Sequence, residues 1–185
     1  YTFDDFLLAR HHMHLMVYFY HKSIVYEELL YRYLTSKDCA FFVPAGIEDY
    51  ISCTDYALYQ HLGKVDNQWA RRLVERRPFR MLFELHSNQD TGRPAAIMRE
   101  LENEGVDVIH SSSQARLSKY HSGSEMDKAL QIYVVDKYDY LAEPYPIEQS
   151  TEIFKRYESI RRIDRLYVAP ENFERSEKIL IDRRI

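Results

Sequence analysis

Apolar residues recur three or four positions apart along the first part of the chain. The stretch over residues 4–34 contains no proline and no glycine, and its apolar positions include Leu7, Met13 and Leu29. Residues at this spacing share one face of an α-helix. Because nothing in the stretch interrupts that face, the pattern predicts either one long helix or two abutting helices.

Two shorter helices are predicted later in the first half. Thr54 precedes a segment over residues 56–62 that stops at Gly63, and a threonine in that position caps the first turn of a helix. A second helical segment runs over residues 66–77 and stops before Pro78. The residue that precedes a proline resists the helical conformation, so we expect this helix to end there.

The pattern changes after about residue 85, where short apolar runs alternate with polar stretches. Short runs rich in β-branched side chains predict strands. These runs lie at residues 106–109, 130–135 and 166–168. Segments of helical period that begin at prolines predict helices. These segments lie at residues 94–104, 146–162 and 170–181, and a polar loop is predicted at 111–127.

The predicted elements describe a mainly α-helical first half followed by a small α+β lobe. The polar, turn-rich stretch at residues 87–94 separates the two parts. We therefore expect the tail of a helical domain over residues 1–86 and an α+β C-terminal lobe over residues 87–185. Because the chain begins with Tyr1 inside a helical pattern, we also expect it to be a fragment of a longer protein.

The composition is that of a folded globular protein, and it argues against nucleic-acid-binding and membrane-spanning proteins. Of the 185 residues, 45% are apolar and 29% are charged, and the formal net charge is −4. Domains that bind nucleic acid broadly are usually basic, so nucleic acid is not an expected partner. No apolar run approaches the roughly 18 residues that a membrane-spanning helix needs, so no membrane is expected. The two cysteines cannot form a disulfide framework, which favours reduced thiols and a cytoplasmic location.

Four residues in the first predicted helix carry chemistry at a spacing of four. Arg10, His14, Tyr18 and Lys22 would form one ridge along the helix. Arginine binds phosphate oxygens with a planar fork, histidine adds a hydrogen bond, and tyrosine packs on a sugar or base. The ridge therefore fits a nucleoside polyphosphate. A solvated helix face with ordinary salt bridges explains the same residues equally well.

Two other basic clusters have plainer explanations. His11 and His14 lie three residues apart, but a zinc site needs three or four ligands, and the neighbouring Arg10 would repel a dication. Five arginines lie close together in the sequence, namely Arg71, Arg72, Arg76, Arg77 and Arg80. They form either a solvated face paired with acidic neighbours or a surface for an anionic ligand or another subunit.

The sequence around the ridge resembles that of HD-domain phosphohydrolases, in particular the deoxynucleoside triphosphate triphosphohydrolase branch. The spacing of Arg10, His14 and Tyr18 is the most specific feature of this resemblance. The likeness continues through the second half, so it covers nearly the whole chain. Its segments in the first half lie at residues 7–14, 17–22, 26–30 and 77–83.

The resemblance implies roles for the three spaced residues. In the family, an arginine, a histidine four residues later and a tyrosine four later again line the substrate pocket. By resemblance, Arg10 and His14 would contact the phosphates of the substrate, and Tyr18 would pack on its sugar. The implied substrate is therefore a nucleotide.

The resemblance also implies a regulatory nucleotide site, to which His21, Lys22 and Arg80 would contribute. The sequence departs from nucleotide-activated members of the family at Glu84, where they carry a lysine. A carboxylate at this position would repel a phosphate. At this position the sequence departs from the regulatory site of those members.

The family takes its name from a His-Asp dipeptide that helps to hold the catalytic metal. No such dipeptide occurs in this chain, and in the family these ligands precede the segment present here. The resemblance therefore implies the C-terminal portion of a phosphohydrolase whose intact form uses a divalent metal (Mg, Mn or Fe) to release deoxynucleoside and triphosphate. We expect the fragment alone to hold no metal and to be inactive, and the intact protein to be a homo-oligomer. The alternative is a non-catalytic nucleotide-binding or oligomerisation module of an HD-like protein.

Overall fold

The structure is a computed structural model that describes residues 2–115, 132–139, 141–149 and 161–183. Within these ranges the helices are α1 (Thr2–Met13), α2 (His21–Leu34), α3 (Ile47–Ser52), α4 (Asp55–Leu62), α5 (Gln68–Val74), α6 (Arg93–Asn103) and α7 (Phe173–Asp182). The strands are β1 (Arg80–Ser87), β2 (Val108–Ala115), β3 (Tyr133–Val134), β4 (Tyr145–Pro146) and β5 (Arg161–Val168). A π-helical turn spans His14–Tyr18, and 3-10 turns span Ile147–Gln149 and Pro170–Asn172. The chain is rich in helix and carries a small antiparallel sheet, which confirms the predicted fold class.

The chain divides into two compact units, each assembled from segments that are distant in sequence. The first unit contains Tyr1–Phe19, His86–Thr91 and Ser112–Ile163. The second contains Tyr20–Leu85, Gly92–Ser111 and Asp164–Ile185. The domain boundary expected between residues 86 and 87 stays a prediction.

In the second unit, the central strand is buried on both faces. The three longer strands lie in the order β1–β5–β2. Leu166 and Val168 of β5 belong to an apolar cluster with Ile97 and Leu101 of α6. Because successive side chains of a strand point to opposite faces, the residue between them, Tyr167, belongs to the other side.

The opposite face of β5 packs against the helices of the first half. Tyr167 belongs to a cluster with Val25, Leu29 and Tyr33 of α2 and with residues of α4 and α5. Leu29 and Tyr33 are fully buried. Helices α2, α4 and α5 therefore cover one face of the sheet in this unit, while α6 and α7 cover the other.

In the first unit, α1 runs directly into the π-helical turn. Leu7 and His11, one helical turn apart, are both buried, at 2% and 3% exposed. The strands β3 and β4 pair antiparallel, with Tyr133 opposite Pro146 and Val134 opposite Tyr145.

Local sequence signals fix several helix ends, as predicted. The Thr54 hydroxyl accepts a hydrogen bond from the amide of Ala57 at 3.3 Å, and α4 ends before Gly63. The helix predicted at residues 94–104 is α6, and Gly105 follows it with a φ of +76°, a conformation that glycine adopts without strain. The helical first stretch is also confirmed as two abutting segments, since α1 with its π turn and α2 are separate.

Other predicted elements are wrong or incomplete. Strand β1 was not predicted, because its charged residues obscure the pattern; its Glu84 bonds to Arg165, 81 residues away. Residues 111–115 belong to β2 rather than to a loop, with Ser111 and Ser113 buried and the strand hydrogen-bonded to β5.

The helix predicted at residues 146–162 is wrong at both of its described ends. Pro146 lies in β4, residues 147–149 form a 3-10 turn, and residues 161–162 begin β5. The predicted strand at 130–135 is reduced to Tyr133–Val134 in the described residues. Residues 116–127 of the predicted loop, residues 130–131 of that strand and residues 150–160 of that helix lie outside the described residues.

We predict that Leu29→Ala lowers the free energy of unfolding by about 2–5 kcal/mol. Leu29 is completely buried, and its truncation leaves a cavity between α2 and the sheet. Leu34→Ala, on the same helix at a side chain that is 42% exposed, should cost less than about 1 kcal/mol. Urea denaturation followed by circular dichroism measures both, and equal losses would contradict the placement of this core.

Candidate functional site

Arg10, His14 and Tyr18 lie where α1 passes into the π-helical turn. The imidazole Nδ1 of His14 donates a hydrogen bond to the main-chain oxygen of Arg10 at 2.9 Å. A carbonyl oxygen only accepts, so this bond places the proton on Nδ1 and leaves Nε2 to bind another group. The rings of His14 and Tyr18 lie 5.0 Å apart, tilted by 48°. The side chains of Arg10 and Tyr18 are exposed, so this end of α1 can meet a ligand.

The π-helical turn changes the spacing on which the predicted ridge depends. The amide of Phe19 donates to the carbonyl oxygen of His14 at 2.9 Å, five residues back rather than four. The helix then stops, because Tyr20 has an extended backbone and α2 begins after it. Lys22 therefore belongs to a separate helix. The prediction of one continuous helical ridge from Arg10 to Lys22 is wrong.

A cavity of about 540 Å³ lies where the start of α2 meets the segment that leads into β1. Its wall combines apolar and aromatic side chains with five basic ones. The lining residues are His21, Lys22, Val25, Tyr26, Arg76, Arg77, Pro78, Phe79, Arg80, Met81, Tyr167 and Pro170. The structure thus brings together His21, Lys22 and Arg80, the three residues nominated for a regulatory nucleotide site.

The described wall of the cavity carries positive charge and no carboxylate. Lys22, Arg76, Arg77 and Arg80 are exposed at its wall, and none of the described lining residues is a carboxylate. The guanidinium of Arg80 also lies over the ring of Phe173, 3.9 Å from the centroid, which restricts that side chain. Apolar walls with several cations suit a ligand that has an apolar body and an anionic end.

Two polar contacts hold the start of α2 and strand β1 to strand β5. The hydroxyl of Tyr167 donates a hydrogen bond to the main-chain oxygen of His21 at 3.1 Å. The Nε of Arg165, whose side chain is only 6% exposed, bonds to the carboxylate of Glu84 at 2.6 Å. Arg165 therefore balances the charge of Glu84, the residue that was expected to repel a phosphate. Glu84 is also absent from the described lining of the cavity.

Burial and neighbouring charges shift two ionisable groups at the cavity. Burial raises the pKa of Tyr167 to about 12, so its hydroxyl remains a donor at neutral pH. Partial burial, followed by the positive charges of Arg165 and Lys22, lowers the pKa of His21. His21 is therefore neutral near pH 7, and a bound anion would favour its protonated form.

A second cavity, of about 450 Å³, carries charges of both signs. It is lined by Gln68, Arg71, Arg72, Glu75, Arg77 and Glu171. Arg72 is bonded to the carboxylate of Glu171, and Arg71 is bonded to Asp66 at 2.7 Å. The interpretation as a paired, solvated face therefore holds for Arg71 and Arg72, but not for the arginines of the larger cavity.

The described residues do not fit a metal site. Across the described ranges, no group of three His, Cys, Asp or Glu side chains lies close enough to hold a metal ion. His11 is buried, and His14 is turned towards the main chain of Arg10. Among the helices of the same residues, none has the length and hydropathy that crossing a membrane requires.

Three lining residues of the larger cavity were not nominated from the sequence. Tyr167 was predicted only as part of a strand, and a single hydroxyl in a buried run gives no local signal. Arg76 and Arg77 were noted in the arginine run without a separate role. No local signal singles them out, because α5 ends at Val74, well before Pro78.

Comparison with known proteins gives information about the fold alone. No family model and no curated protein matches the chain. A hypothetical protein from Aquifex aeolicus has a similar structure, with a TM-score of 0.73 and 16% sequence identity. The match covers 97% of this chain and 44% of that chain. The chain therefore spans less than half the length of this structural neighbour.

We predict that His21→Gln reduces the loss of stability in acid. The pKa of His21 is lowered in the folded protein, so between pH 7.5 and 5.5 the unfolded chain takes up a proton that the folded chain resists. The free energy of unfolding therefore falls as the pH decreases below about 6.5, the ordinary value for histidine. Urea denaturation at both pH values should show a smaller fall for the variant.

His12→Gln, at an exposed position on α1, is the matched control for this measurement. The fall in stability between the two pH values should be smaller for His21→Gln than for this control. If the two variants lose stability equally between pH 7.5 and 5.5, the assigned environment of His21 is wrong.

Proposed function

We propose that the chain is the C-terminal portion of an HD-domain phosphohydrolase, whose intact form hydrolyses deoxynucleoside triphosphates to deoxynucleoside and triphosphate. The observation that carries this proposal is the arrangement of Arg10, His14 and Tyr18 at the end of α1. The spacing of these three residues is the most specific feature of the resemblance to the family. We further propose that the intact protein is cytoplasmic and homo-oligomeric.

Each of the three residues would have a distinct part in holding the substrate. The exposed guanidinium of Arg10 would bind phosphate oxygens with paired donors. The bond from Nδ1 of His14 to the main chain orients its ring, so that Nε2 would meet a second phosphate oxygen. The exposed ring of Tyr18, which packs against His14, would lie on the deoxyribose.

The proposed reaction adds water across the bond between the α-phosphorus and the 5′ oxygen of the nucleoside. The family's divalent metal does not fit the described residues, so its ligands would lie outside them. We therefore assign the residues of this chain to substrate binding and orientation only. In this proposal the chain by itself is inactive.

A second candidate function is a non-catalytic nucleotide-binding module of an HD-like protein. The cavity at the start of α2 favours it, because His21, Lys22 and Arg80 meet there beside aromatic and apolar walls. In the intact enzyme the same cavity would serve as a regulatory nucleotide site. The two functions differ in whether the intact protein turns over a nucleotide.

We predict that the full-length gene product, supplied with Mn²⁺ or Mg²⁺, releases deoxynucleoside and triphosphate from at least one of the four deoxynucleoside triphosphates. Arg10→Ala should lower this rate about 10- to 100-fold, because a charge-assisted hydrogen bond contributes about 1.5–3 kcal/mol. Chromatographic separation of the products measures the rate. Arg99→Ala, at an exposed position of α6, is the control and should be as active as the wild type.

Two results would contradict this proposal at different points. If the wild type converts none of the four nucleotides, the assigned reaction is wrong and the binding module is favoured. If Arg10→Ala is as active as Arg99→Ala, the reaction stands but the residues at the end of α1 do not bind its substrate.

We predict that the 185-residue chain alone binds inorganic triphosphate at the cavity, and that Arg80→Ala weakens the binding about tenfold. The loss of one charge-assisted hydrogen bond, at a wall whose described residues include no carboxylate, accounts for this magnitude. Isothermal titration calorimetry measures the affinity, and raising the salt concentration should weaken binding through screening. An Arg80→Ala chain that binds as tightly as the Arg99→Ala control would refute the placement of the anion.

A further inference from the structure

The chain leaves α5 through a left-handed residue, Arg76. The amide of Arg76 donates to the carbonyl oxygen of Leu73 at 3.2 Å, and the amide of Arg77 donates to that of Arg72 at 3.0 Å. This pair of bonds closes the end of a helix and requires a left-handed backbone at the residue after the cap. The φ of Arg76 is +53°. Glycine is the usual residue there, because any side chain is crowded by the main chain in this conformation.

Contacts within the fold do not account for an arginine at this strained position. In the described part of the chain, the Arg76 guanidinium makes no hydrogen bond or ion pair, and the residue is exposed. It is also the only described residue other than glycine with a positive φ. Residues held in sparsely populated backbone conformations are concentrated at functional sites. The strain therefore points to a use for the side chain outside the folding of this unit.

The position of Arg76 indicates that use. Its side chain lines the cavity together with Lys22 and Arg80. We propose that Arg76 is a phosphate-binding residue of this cavity, and that the left-handed backbone persists because a guanidinium is needed where glycine would fit better. This inference rests on the nucleotide-binding role proposed above for the cavity.

Arg77, the neighbouring arginine, has a different environment. It lines both cavities. The pKa of Glu171 is lowered chiefly by its hydrogen bond from Arg72, and the charge of Arg77 contributes to the same shift. Arg77 therefore already interacts electrostatically with Glu171, a carboxylate of the same chain. Arg76 has no such partner among the described residues, so its charge remains available to a ligand.

The chemistry of the wall defines the class of ligand. Several separate cations on one wall match the distributed charge of a di- or triphosphate better than that of a single phosphate. Tyr26 and Phe79 add aromatic surface to the same cavity, on which a sugar or a base can pack. The ligand class is therefore a nucleoside polyphosphate, with Arg76 at its anionic end.

Two substitutions separate the charge of Arg76 from the strain of its backbone. Arg76→Gly removes the guanidinium and relieves the strain, whereas Arg76→Ala removes the guanidinium and keeps the strained backbone. We expect both variants to bind inorganic triphosphate about tenfold more weakly than the wild-type chain in calorimetry. In urea denaturation, only Arg76→Gly should have a midpoint above that of the wild type. Arg99→Ala should match the wild type in both measurements.

The outcomes distinguish this inference from the function on which it rests. If the wild-type chain does not bind triphosphate, the proposed role of the cavity fails and the inference fails with it. If the wild type and Arg76→Gly bind equally while Arg80→Ala binds weakly, the cavity is a phosphate site and Arg76 has no part in it. An Arg76→Gly variant that binds weakly but gains no stability over Arg76→Ala would overturn the claim that the arginine is kept against backbone strain.

Discussion

The burial of strand β5 on both of its faces is the constraint on which the larger cavity depends. Leu166 and Val168 pack in the cluster with α6, so the residue between them must lie on the opposite face of the sheet, towards α2. That residue is Tyr167, and Arg165, two positions earlier, lies on the same side of the strand. A buried hydroxyl and a buried guanidinium require partners. Both partners lie on elements that form the wall of the cavity.

The hydrogen bonds of Tyr167 and Arg165 position the elements that form the wall of the cavity. The hydroxyl of Tyr167 bonds to the main chain at His21, which fixes the first turn of α2. Arg165 bonds to Glu84, which fixes β1 beside β5. Separating Arg165 from Glu84 would leave a buried charge without compensation, so moving β1 away from β5 costs free energy. The basic side chains of α2 and of the segment before β1 are held close together as a consequence.

The electrostatic contrast between the two cavities explains why only the larger one is a candidate ligand site. The protein has a formal net charge of −4, so its positive regions are local. In the smaller cavity Arg72 is neutralised by Glu171, and an anion would have to displace a partner that is already bound. In the larger cavity the described wall contains cations and no carboxylate. An anion therefore gains attraction there without breaking an existing ion pair.

The sequence predicted the features that depend on neighbouring residues and missed those that depend on distant ones. Caps and stop signals identified α4 and α6, because Thr54 and Gly105 act within one turn of the chain. Strand β1 was missed because its stability comes from pairing with β5, which no local pattern records. At the candidate site, His21, Lys22 and Arg80 were nominated through resemblance, but their shared cavity follows from the long-range contacts of Tyr167 and Arg165. The strained backbone of Arg76 could not be predicted, since glycine is the residue that this conformation favours.

The central claim is that the larger cavity binds the polyphosphate of a nucleotide. The most direct measurement is a crystal structure of the 185-residue chain with a non-hydrolysable deoxynucleoside triphosphate. The account predicts phosphate oxygens within hydrogen-bond distance of Arg76 and Arg80, with the nucleoside against the aromatic wall that includes Tyr26. A cavity that stays empty at saturating nucleotide would contradict it, whether or not a nucleotide is bound beside Arg10, His14 and Tyr18.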